Sequence, residues 1–346
     1  MRAWLAHRHG PPREVLRLDD APAPTPGAGE LLIRVEAAPL NWNDIDVIHG
    51  RWKIIQTRLP FTPGMEVLGR VVESGAGAER WLGRRVVAVP RGAFGGFAEL
   101  AVAPADSAFE MPEAMPARDA ASIYFPFHLG WLSLYERGRL QAGETLLVHA
   151  GAGSAGSAAI QLGALAGARV IATAGSPEKL RLCQELGAEL ALDYRAGDFA
   201  QAVLDATAGR GVDVAFDAIG GAVREQTYRC MAFGGRHLII GFAAGIAEED
   251  GGAPLRPFIY GNFSVVGVCH AYTADPIAWK RLTGMSVPSH AEGERLHARL
   301  LALFAEGKLR TVVGRELRFE ELPEALAALE SRATLGRSVL HVRGVS

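Results

Sequence analysis

The 346-residue sequence predicts a two-domain α/β protein. One domain is expected to contain a doubly wound, parallel six-stranded sheet, and the other a small β-barrel or sandwich. Three observations support this prediction. The length fits about two domains. Short apolar runs alternate with helical stretches through the middle of the chain. A glycine-rich turn joins the first of these runs to a helix.

The first hundred or so residues are expected to be mostly β-structure. Short apolar runs at 31–35, 69–73 and 85–89 are separated by turns that carry proline or glycine, such as 24–27 and 74–77. Strands at this spacing are typical of a small barrel or sandwich.

The middle of the chain has the pattern of a parallel sheet covered by helices. A helical stretch at about 118–139 comes first, and two further helices are predicted at about 156–166 and 177–186. The six predicted strands are 145–149, 169–173, 190–192, 212–216, 237–240 and 264–268. Each run is apolar on both faces, which a sheet covered on both sides requires.

The last eighty residues predict helices near 294–306 and 320–331 and a final strand at 338–342. The expected layout is therefore a first domain at 1–117, an inserted domain at 118–264, and a return to the first domain at 265–346.

Composition excludes several classes of protein. Lys+Arg is 36 and Asp+Glu is 38, so the net charge of −2 argues against a strongly basic nucleic-acid-binding protein. No apolar run approaches the roughly 18 to 20 residues that a membrane span needs. The first residues lack the apolar core of a signal peptide, so a cytoplasmic location is expected. The three cysteines are far apart and form no C-x-x-C pair, which argues against a cysteine-rich zinc lobe.

The glycine-rich turn predicts a dinucleotide site. Residues 151–156 match G-x-G-x-x-G between a predicted strand and helix. Gly151 is expected to allow the tight turn, Gly153 to let the backbone approach a pyrophosphate, and Gly156 to let the helix pack on the sheet. The helix N-terminus would then face the phosphates. The alternative is an ordinary glycine-rich strand-to-helix turn.

The end of the second predicted strand favours NADPH over NADH. Residues 173–176 (Thr-Ala-Gly-Ser) include no acid to hold a ribose 2′-hydroxyl. Ser176 and Lys179 lie there instead, a small residue and a cation that suit a 2′-phosphate. The alternative is that Lys179 is simply a solvated helix lysine.

Four segments together resemble a known family. They are 37–44 (Ala-Ala-Pro-Leu-Asn-Trp-Asn-Asp), 59–66 (Leu-Pro-Phe-Thr-Pro-Gly-Met-Glu), 143–150 (Gly-Glu-Thr-Leu-Leu-Val-His-Ala) and 330–336 (Glu-Ser-Arg-Ala-Thr-Leu-Gly). Over nearly its whole length the chain resembles the zinc-independent medium-chain dehydrogenase/reductases, the NADPH:quinone oxidoreductases that include zeta-crystallin. The resemblance implies a six-stranded Rossmann sheet and a GroES-like β-barrel catalytic domain.

The resemblance also implies a set of cofactor-binding residues. Ser176, Lys179, Tyr194 and Arg332 match positions around the adenosine 2′-phosphate. The implied cofactor-binding residues are Asn41, Gly151, Gly153, Ser154, Ala155, Gly156, Gly175, Ser176, Lys179, Tyr194, Gly241, Phe242, Val266, Val268 and Arg332. Asp217, after the fourth strand of the sheet, is expected to stabilise turns.

The catalytic candidates are Asn41, Trp52 and His128. Asn41 is the expected hydrogen-bond donor to the acceptor oxygen. Trp52 stands where the family often has a tyrosine. The expected proton donor is water, with His128 and His270 as the candidate side chains. Zinc-dependent relatives have Cys and His where Asn41 and Met65 stand, so no metal is expected.

Aromatic residues at the start of the central helical stretch are expected to line the substrate pocket or, equally, to form core. They are Tyr124, Phe125, Phe127 and Trp131, with His128 among them.

The expected function is NADPH-dependent hydride transfer to a small-molecule quinone or enone. A homodimer paired through 264–268 is expected from the family. The alternatives are a zinc-dependent alcohol dehydrogenase-like enzyme and a non-catalytic NADPH-binding protein. A short-chain reductase is argued against, because no Tyr-x-x-x-Lys spacing occurs.

Overall fold

The computed structural model describes residues 1–52, 57–246, 252 and 255–342. The chain forms two compact units. The first comprises Met1–Tyr124, Ala271–Ala298 and Thr311–Ser346, and the second comprises Phe125–His270 and Arg299–Arg310.

In chain order, the strands are β1 (Arg2–Ala6), β2 (Leu16–Asp20), β3 (Glu30–Pro39), β4 (Val67–Ser74), β5 (Arg85–Ala88), β6 (Leu100–Pro104), β7 (Ala108–Glu110), β8 (Thr145–Val148), β9 (Arg169–Ala174), β10 (Leu190–Asp193), β11 (Val212–Asp217), β12 (Met231–Ile239), β13 (Ser264–Gly267), β14 (Val313–Arg318) and β15 (Arg337–His341). The α-helices are α1 (Pro12–Val15), α2 (Trp42–Ile48), α3 (Ala117–Ala120), α4 (Tyr124–Trp131), α5 (Ser154–Leu165), α6 (Pro177–Glu185), α7 (Phe199–Ala206), α8 (Gly221–Tyr228), α9 (Arg256–Gly261), α10 (Pro276–Thr283), α11 (His290–Ala305) and α12 (Leu322–Glu330).

The second unit contains a six-stranded parallel sheet in the order β10-β9-β8-β11-β12-β13. The chain moves outward from β8 in one direction through β9 and β10, and then returns to place β11 on the other side of β8. This reversal puts the end of β8 at the point where ligands bind in open α/β sheets. The predicted doubly wound parallel sheet of six strands is confirmed.

Burial follows each strand's place in that sheet. Every residue of the central strand β8 is buried, as the apolar run predicted. The outer strand β13 differs, because three of its four residues, Ser264, Val265 and Gly267, are exposed. An outer strand has a neighbour on one side only, so its apolar residues are not all covered.

The first unit is rich in β-structure, and the prediction of a separate sheet-rich domain is confirmed. Its main sheet has the order β14-β15-β3-β4-β5-β7, with β6 also paired to β3, and β1 and β2 form a separate antiparallel pair. The inward-facing residues Leu31, Ile33 and Val35 of β3 belong to one buried apolar cluster with Val67 and Val71 of β4. This packing fixes the end of β3, from which α2 begins.

The helical stretch predicted at 118–139 is divided into three pieces. These are α3, α4 and a π-helical segment at Leu132–Arg137. Pro126 has no N–H to donate to the carbonyl four residues earlier, and its ring blocks a helix continuing through that position, so the helix restarts at Tyr124. No helix in the described part of the chain is both long enough and apolar enough to cross a membrane.

Candidate active site

The glycine-rich turn connects β8 to α5. Gly153 caps α5 with an extended backbone (φ −81°, ψ 175°), and the helix begins at Ser154. Gly153, Ser154 and Ala155 are partly exposed, whereas Gly151 and Gly156 are buried. The first turn of α5 therefore presents its backbone N–H groups at the end of the sheet, where they can donate to phosphate oxygens.

The buried glycines of the turn are required for space. A Cβ on Gly156 would lie 2.8 Å from both Ala150 C and Gly151 Cα, and closer still to Ala150 O. A Cβ on Gly151 would lie 2.8 Å from the sulfur of Cys183 and 3.0 Å from Ala172 Cβ. The left-handed residue of the turn is Ala150, with φ 50°, so Gly151 serves close packing and not the positive φ of the turn.

The end of β9 carries the residues expected around a 2′-phosphate. Ser176 caps α6, and its hydroxyl oxygen accepts a hydrogen bond from Lys179 N at 3.3 Å. Burial lowers the pKa of the Lys179 ammonium, and the charge of Arg195 lowers this pKa further. Two cations therefore lie near each other beside the N-terminus of α6.

Strand β10 runs parallel to β9, so the residues that follow each strand lie at the same edge of the sheet. A Cβ on Gly175 would lie 3.0 Å from the hydroxyl of Tyr194, which places the Tyr194 ring directly over Gly175. Arg195 follows Tyr194, and its Nε lies 3.4 Å from Asp193 Oδ1. The structure thus brings the predicted residues Gly175, Ser176, Lys179 and Tyr194 into one cluster.

The loops after β11 and β12 lie against each other. Gly241 and Phe242 follow β12 and are partly exposed. Ile240 N donates to Asp217 O at 2.9 Å, and Ala243 N donates to Ala218 O at 3.1 Å. The predicted residues Gly241 and Phe242 are therefore held at the same edge of the sheet as the glycine-rich turn.

Asp217 supports the loop after β11. Its Oδ1 accepts from Ile219 N and Gly220 N at 2.8 and 3.0 Å, and its Oδ2 is 3.0 Å from His237 Nε2. Burial alone would raise the pKa of Asp217, but the hydrogen bond from His237 and the nearby charges outweigh it and hold this pKa at about 2. The turn-stabilising geometry agrees with the role expected for Asp217.

Val266 and Val268 lie in or just after the outer strand β13. Val266 pairs in register with Leu238 of β12, and Val268 N donates to Ile239 O at 3.0 Å. Both valines are partly exposed. Both valines therefore lie toward the carboxyl ends of the parallel strands. The glycine-rich turn, Gly175, Tyr194 and Gly241 lie at the same edge of the sheet.

In the first unit, Asn41 caps α2 and is almost fully buried. Asn41 N donates to Asp44 Oδ2 at 2.9 Å, and Asp44 N donates to the backbone oxygen of Asn41 at 3.2 Å. Met65 N donates to Asp44 Oδ1 at 3.0 Å. Burial raises the pKa of Asp44 to about 7, although these backbone hydrogen bonds and the charge of Arg337 act to lower it.

A buried ion pair lies beside Asn41. Arg337 Nη2 donates to Asn41 Oδ1 at 3.1 Å and also to Glu66 Oε2. The Arg337 and Glu66 side chains are 2% and 0% exposed. Among the described residues, no group of three or more His, Cys, Asp or Glu side chains could hold a metal ion.

The remaining predicted residues have different surroundings. Trp52 packs edge-on against Phe94 in the first unit, with ring centroids 6.3 Å apart. Arg332, also in the first unit, follows α12 with φ 59°, and its N–H donates to Leu329 O at 3.0 Å. His128 is in α4 of the second unit, fully buried, with its ring centroid 5.9 Å from that of His270.

The aromatic residues of α4 are mainly core. Tyr124 is buried and stacks on Phe109 at 5.2 Å. Phe127 is buried against Phe304 at 4.8 Å. The sequence left open whether these aromatic residues line the substrate pocket or form core. Tyr124 and Phe127 form core.

Trp131 is only partly buried. It lies under the guanidinium of Arg299, 4.9 Å from the ring centroid, and packs edge-on against Tyr135. Phe125 packs edge-on against His270 at 5.2 Å.

Comparison with known proteins identifies the family. The family model described as "Alcohol dehydrogenase GroES-like domain" matches residues 27–113, and the one described as "Zinc-binding dehydrogenase" matches residues 155–284. Quinone oxidoreductase-like protein 2 of Rattus norvegicus is 34% identical over 249 residues, covering 71% of this chain and 69% of that protein. The chain belongs to the medium-chain dehydrogenase/reductase family.

Two further similarities place the chain within that family. Prostaglandin reductase-3 of Mus musculus is 34% identical over 239 residues, covering 68% of this chain and 62% of that protein. The crystal structure of Escherichia coli quinone oxidoreductase complexed with NADPH has a TM-score of 0.86 and 25% identity, covering 99% of this chain and 100% of that chain. The predicted resemblance to the medium-chain dehydrogenase/reductases is confirmed.

The structure adds residues that the sequence analysis of this medium-chain dehydrogenase/reductase missed. Arg195 directly follows Tyr194, a predicted phosphate contact, so the sequence could have predicted Arg195 as part of the same cluster. Phe94 could not be connected to Trp52 from the sequence, because no local pattern joins the two segments. Arg337 lies 296 positions from Asn41 and is identified only by the folded chain.

Proposed function

We propose that this protein is an NADPH-dependent oxidoreductase that delivers a hydride to a quinone or an α,β-unsaturated carbonyl compound without a catalytic metal. One observation carries the proposal. The glycine-rich turn after β8 and the cationic cluster after β9 and β10 lie at the same edge of a doubly wound sheet. A phosphorylated dinucleotide has phosphates at both of these places.

The glycine-rich turn fits a pyrophosphate. Among the described residues, a Cβ built on Gly153 would have a single neighbour within 4 Å, Ala150 O, at a tight 3.2 Å. The partly exposed first turn of α5 offers backbone donors and the positive end of the helix dipole. Gly153 N itself donates to Ala150 O at 2.8 Å, so the donors to a phosphate would be N–H groups that follow Gly153 in the first turn of α5.

The cationic cluster fits a 2′-phosphate. Lys179 and Arg195 supply positive charge, and Ser176 and Tyr194 supply hydroxyl groups. Residues 173–176, at and just after the end of β9, include no carboxylate, which would repel a phosphate. Arg332 is proposed as a further ligand of the 2′-phosphate, because a guanidinium can donate two parallel hydrogen bonds to a phosphate.

NADPH, when bound, supplies the hydride. The acceptor oxygen gains negative charge as the hydride arrives, so a hydrogen-bond donor at that oxygen lowers the barrier. We assign this role to Asn41, whose amide can donate without changing its protonation state. Trp52 is proposed to contact the acceptor, and His128 is proposed as a proton donor through intervening groups, since its ring is fully buried.

The chemistry of the side chains near Asn41 supports a reaction without a metal. Asn41 is a poor ligand for zinc, and its Oδ1 accepts a hydrogen bond from Arg337 Nη2. The Glu66 carboxylate is paired with Arg337. The Asn41 oxygen and the Glu66 carboxylate, the two candidate zinc ligands here, are thus both bonded to Arg337. The names of the relatives, a quinone oxidoreductase-like protein and a prostaglandin reductase, support the two acceptor classes.

The proposal is tested first by cofactor binding and then by turnover. We expect NADPH to bind at least tenfold more tightly than NADH in a fluorescence titration. We expect NADPH oxidation with 1,4-benzoquinone or a 2-alkenal, and no oxidation of simple alcohols with NADP⁺. Elemental analysis of the purified protein should find less than one zinc ion per ten chains. Robust zinc-dependent alcohol oxidation would refute the proposal, and NADPH binding without turnover of any acceptor would favour a non-catalytic role.

A matched pair of lysine variants tests the phosphate cluster. Lys179→Met should weaken NADPH binding by roughly 10- to 100-fold and leave NADH binding nearly unchanged, because a charge-assisted contact to the 2′-phosphate is lost. Lys308→Met is the control, since Lys308 lies with Leu165 and Glu185 at the C-terminal ends of α5 and α6. Equal effects of the two variants would contradict the assignment.

We also propose that two copies pair through β13. It is the outer strand of its sheet, and its exposed Val265 would be covered by a second β13 across a two-fold axis. Light scattering during size-exclusion chromatography should give a mass of about two chains, and Val265→Arg should give one. A monomeric wild-type protein would overturn this part of the proposal.

A further inference from the structure

The side-chain amide of Asn41 is held in one orientation by two groups. Its Oδ1 accepts from Arg337 Nη2 at 3.1 Å, and its Nδ2 donates to Pro39 O at 3.2 Å. A flipped amide would place its NH₂ group against the guanidinium, which has no acceptor to offer, and its oxygen against Pro39 O. Within the described part of the chain, the second Nδ2 hydrogen has no acceptor.

Arg337 is itself fixed in place. It is the first residue of β15, where Leu40 N donates to Ser338 O at 3.0 Å and so aligns β15 beside the segment that precedes α2. Its guanidinium is buried and shared between Glu66 and Asn41. Glu66 balances the charge of Arg337, so the guanidinium can remain next to a neutral amide.

We propose that Arg337 is a positioning residue that keeps the Asn41 oxygen turned inward and so reserves one Asn41 N–H for the oxygen of a bound acceptor. The inward orientation follows from the contacts above, and the use of the free N–H rests on the proposed function. A flipped Asn41 would instead direct its own oxygen at a developing negative charge, which is repulsive. Arg337 thereby determines whether Asn41 acts as a donor or as an acceptor.

The first experiment measures the orientation without turnover. The sequence has three asparagines, Asn41, Asn43 and Asn262, so selective ¹⁵N-asparagine labelling gives three side-chain NH₂ pairs. Loss of one pair in Asn41→Asp assigns the signal of Asn41. In the wild-type protein, one hydrogen of that pair should exchange with solvent slowly, because it is bonded to Pro39 O.

In Arg337→Lys the protected hydrogen should exchange at least tenfold faster. Arg337 Nη2 donates to both Asn41 and Glu66, and an ammonium on a flexible stem does not reproduce the fixed position of that nitrogen in a planar guanidinium. Arg315→Lys, an exposed arginine on the neighbouring strand β14, is the control and should leave exchange unchanged. Exchange in Arg337→Lys within twofold of the wild-type rate would overturn the proposal. If Arg337→Lys does not fold, the double variant Arg337→Gln/Glu66→Gln removes both charges and is read in the same way.

The second experiment is a double-mutant cycle on the single-turnover rate of NADPH oxidation. Asn41→Ala should slow this rate by about 100-fold, as expected for loss of one donor to a developing oxyanion. Arg337→Lys should slow it by roughly 10-fold, with NADPH affinity within twofold of wild type. If Arg337 acts through Asn41, adding Arg337→Lys to Asn41→Ala should cause no further loss.

Additive losses would show a general structural effect of Arg337 and would overturn the proposal. A wild-type protein that reduces no acceptor would refute the proposed function instead, and the exchange measurement would still decide whether Arg337 orients Asn41.

Discussion

Replacing Gly153 or Gly156 of the turn after β8 by alanine should have different effects. Gly153→Ala should mainly weaken cofactor binding, and Gly156→Ala should mainly lower stability. Among the described residues, a Cβ on Gly153 would have a single neighbour within 4 Å, Ala150 O at 3.2 Å, and the backbone there (φ −81°) suits any residue. A Cβ on Gly156 would overlap the backbone of Ala150 and Gly151. Backbone atoms cannot rotate away as a flexible side chain can, so the helix or the turn must move.

The expected magnitudes follow from these contacts. For Gly156→Ala, overlap at the upper end of the usual range costs about 3 kcal/mol, and the better helix propensity of alanine returns about 1 kcal/mol. The free energy of unfolding should therefore fall by about 2 kcal/mol. For Gly153→Ala, loss of a preferred cap residue and reduced freedom of the unfolded chain nearly cancel, so the change should be about 1 kcal/mol or less.

Gly153→Ala should weaken NADPH binding although it changes stability little. The Cβ of Gly153→Ala would occupy the space proposed for the pyrophosphate and cost one charge-assisted hydrogen bond, about 2 to 3 kcal/mol. NADPH should then bind roughly 30- to 150-fold more weakly to a protein of nearly normal stability. The assays are an NADPH fluorescence titration and urea unfolding of the same samples.

Two results would refute this reasoning. If Gly153→Ala binds NADPH like the wild-type protein, the turn is not the pyrophosphate site. If Gly153→Ala loses as much stability as Gly156→Ala, the single contact with Ala150 O is as costly as the backbone overlap at Gly156.

Three further predictions concern stability and reactivity. Burial lowers the pKa of His149 to about 4, so His149 stays neutral in the folded protein while it protonates in the unfolded chain below about pH 6.5. Stability is therefore lost as pH falls through this window, and the stability advantage of wild type over His149→Gln should shrink by about 3 kcal/mol between pH 7 and pH 4, measured by urea unfolding. A constant difference would contradict the shifted pKa. In the native protein a thiol reagent should modify one cysteine, the exposed Cys269, and all three after denaturation, because the other two are buried; mass spectrometry counts the adducts, and three native adducts would contradict the burial. Arg236→Gln should lower the free energy of unfolding by about 2 kcal/mol in urea titrations, because Arg236 makes two 2.8 Å bonds to Glu144, and no change would show that this pair contributes little.

Much of the second unit was predictable from the sequence because its signals are local. The apolar runs at 145–149 and 169–173 match β8 and β9 within two residues, since buried parallel strands need continuous apolar sequence. The glycine-rich turn was also recognisable, because its strand, turn and helix are consecutive. The division of the stretch at 118–139 was not predicted, although Pro126 was a visible signal for it.

The roles of individual side chains were less predictable. Ser176 was expected to contact a phosphate, but its oxygen also caps α6, and the packing of Tyr194 over Gly175 depends on the pairing of β10 with β9. Tyr124 and Phe127 could have lined a pocket or a core, since one helical spacing serves both. The neighbours contributed by Phe109 and Phe304 decided between them.

The sequence by itself determined the α/β class, the parallel sheet and the glycine-rich turn, because each depends on residues close together along the chain. Only the tertiary structure brought Arg337 to Asn41 across 296 positions and paired it with Glu66. Such contacts depend on how β15 lies beside β3, and strand pairing over this separation leaves no periodic mark in the sequence. The sequence around Asn41 and Arg337 therefore predicts their secondary structure, but it does not predict which residues they contact.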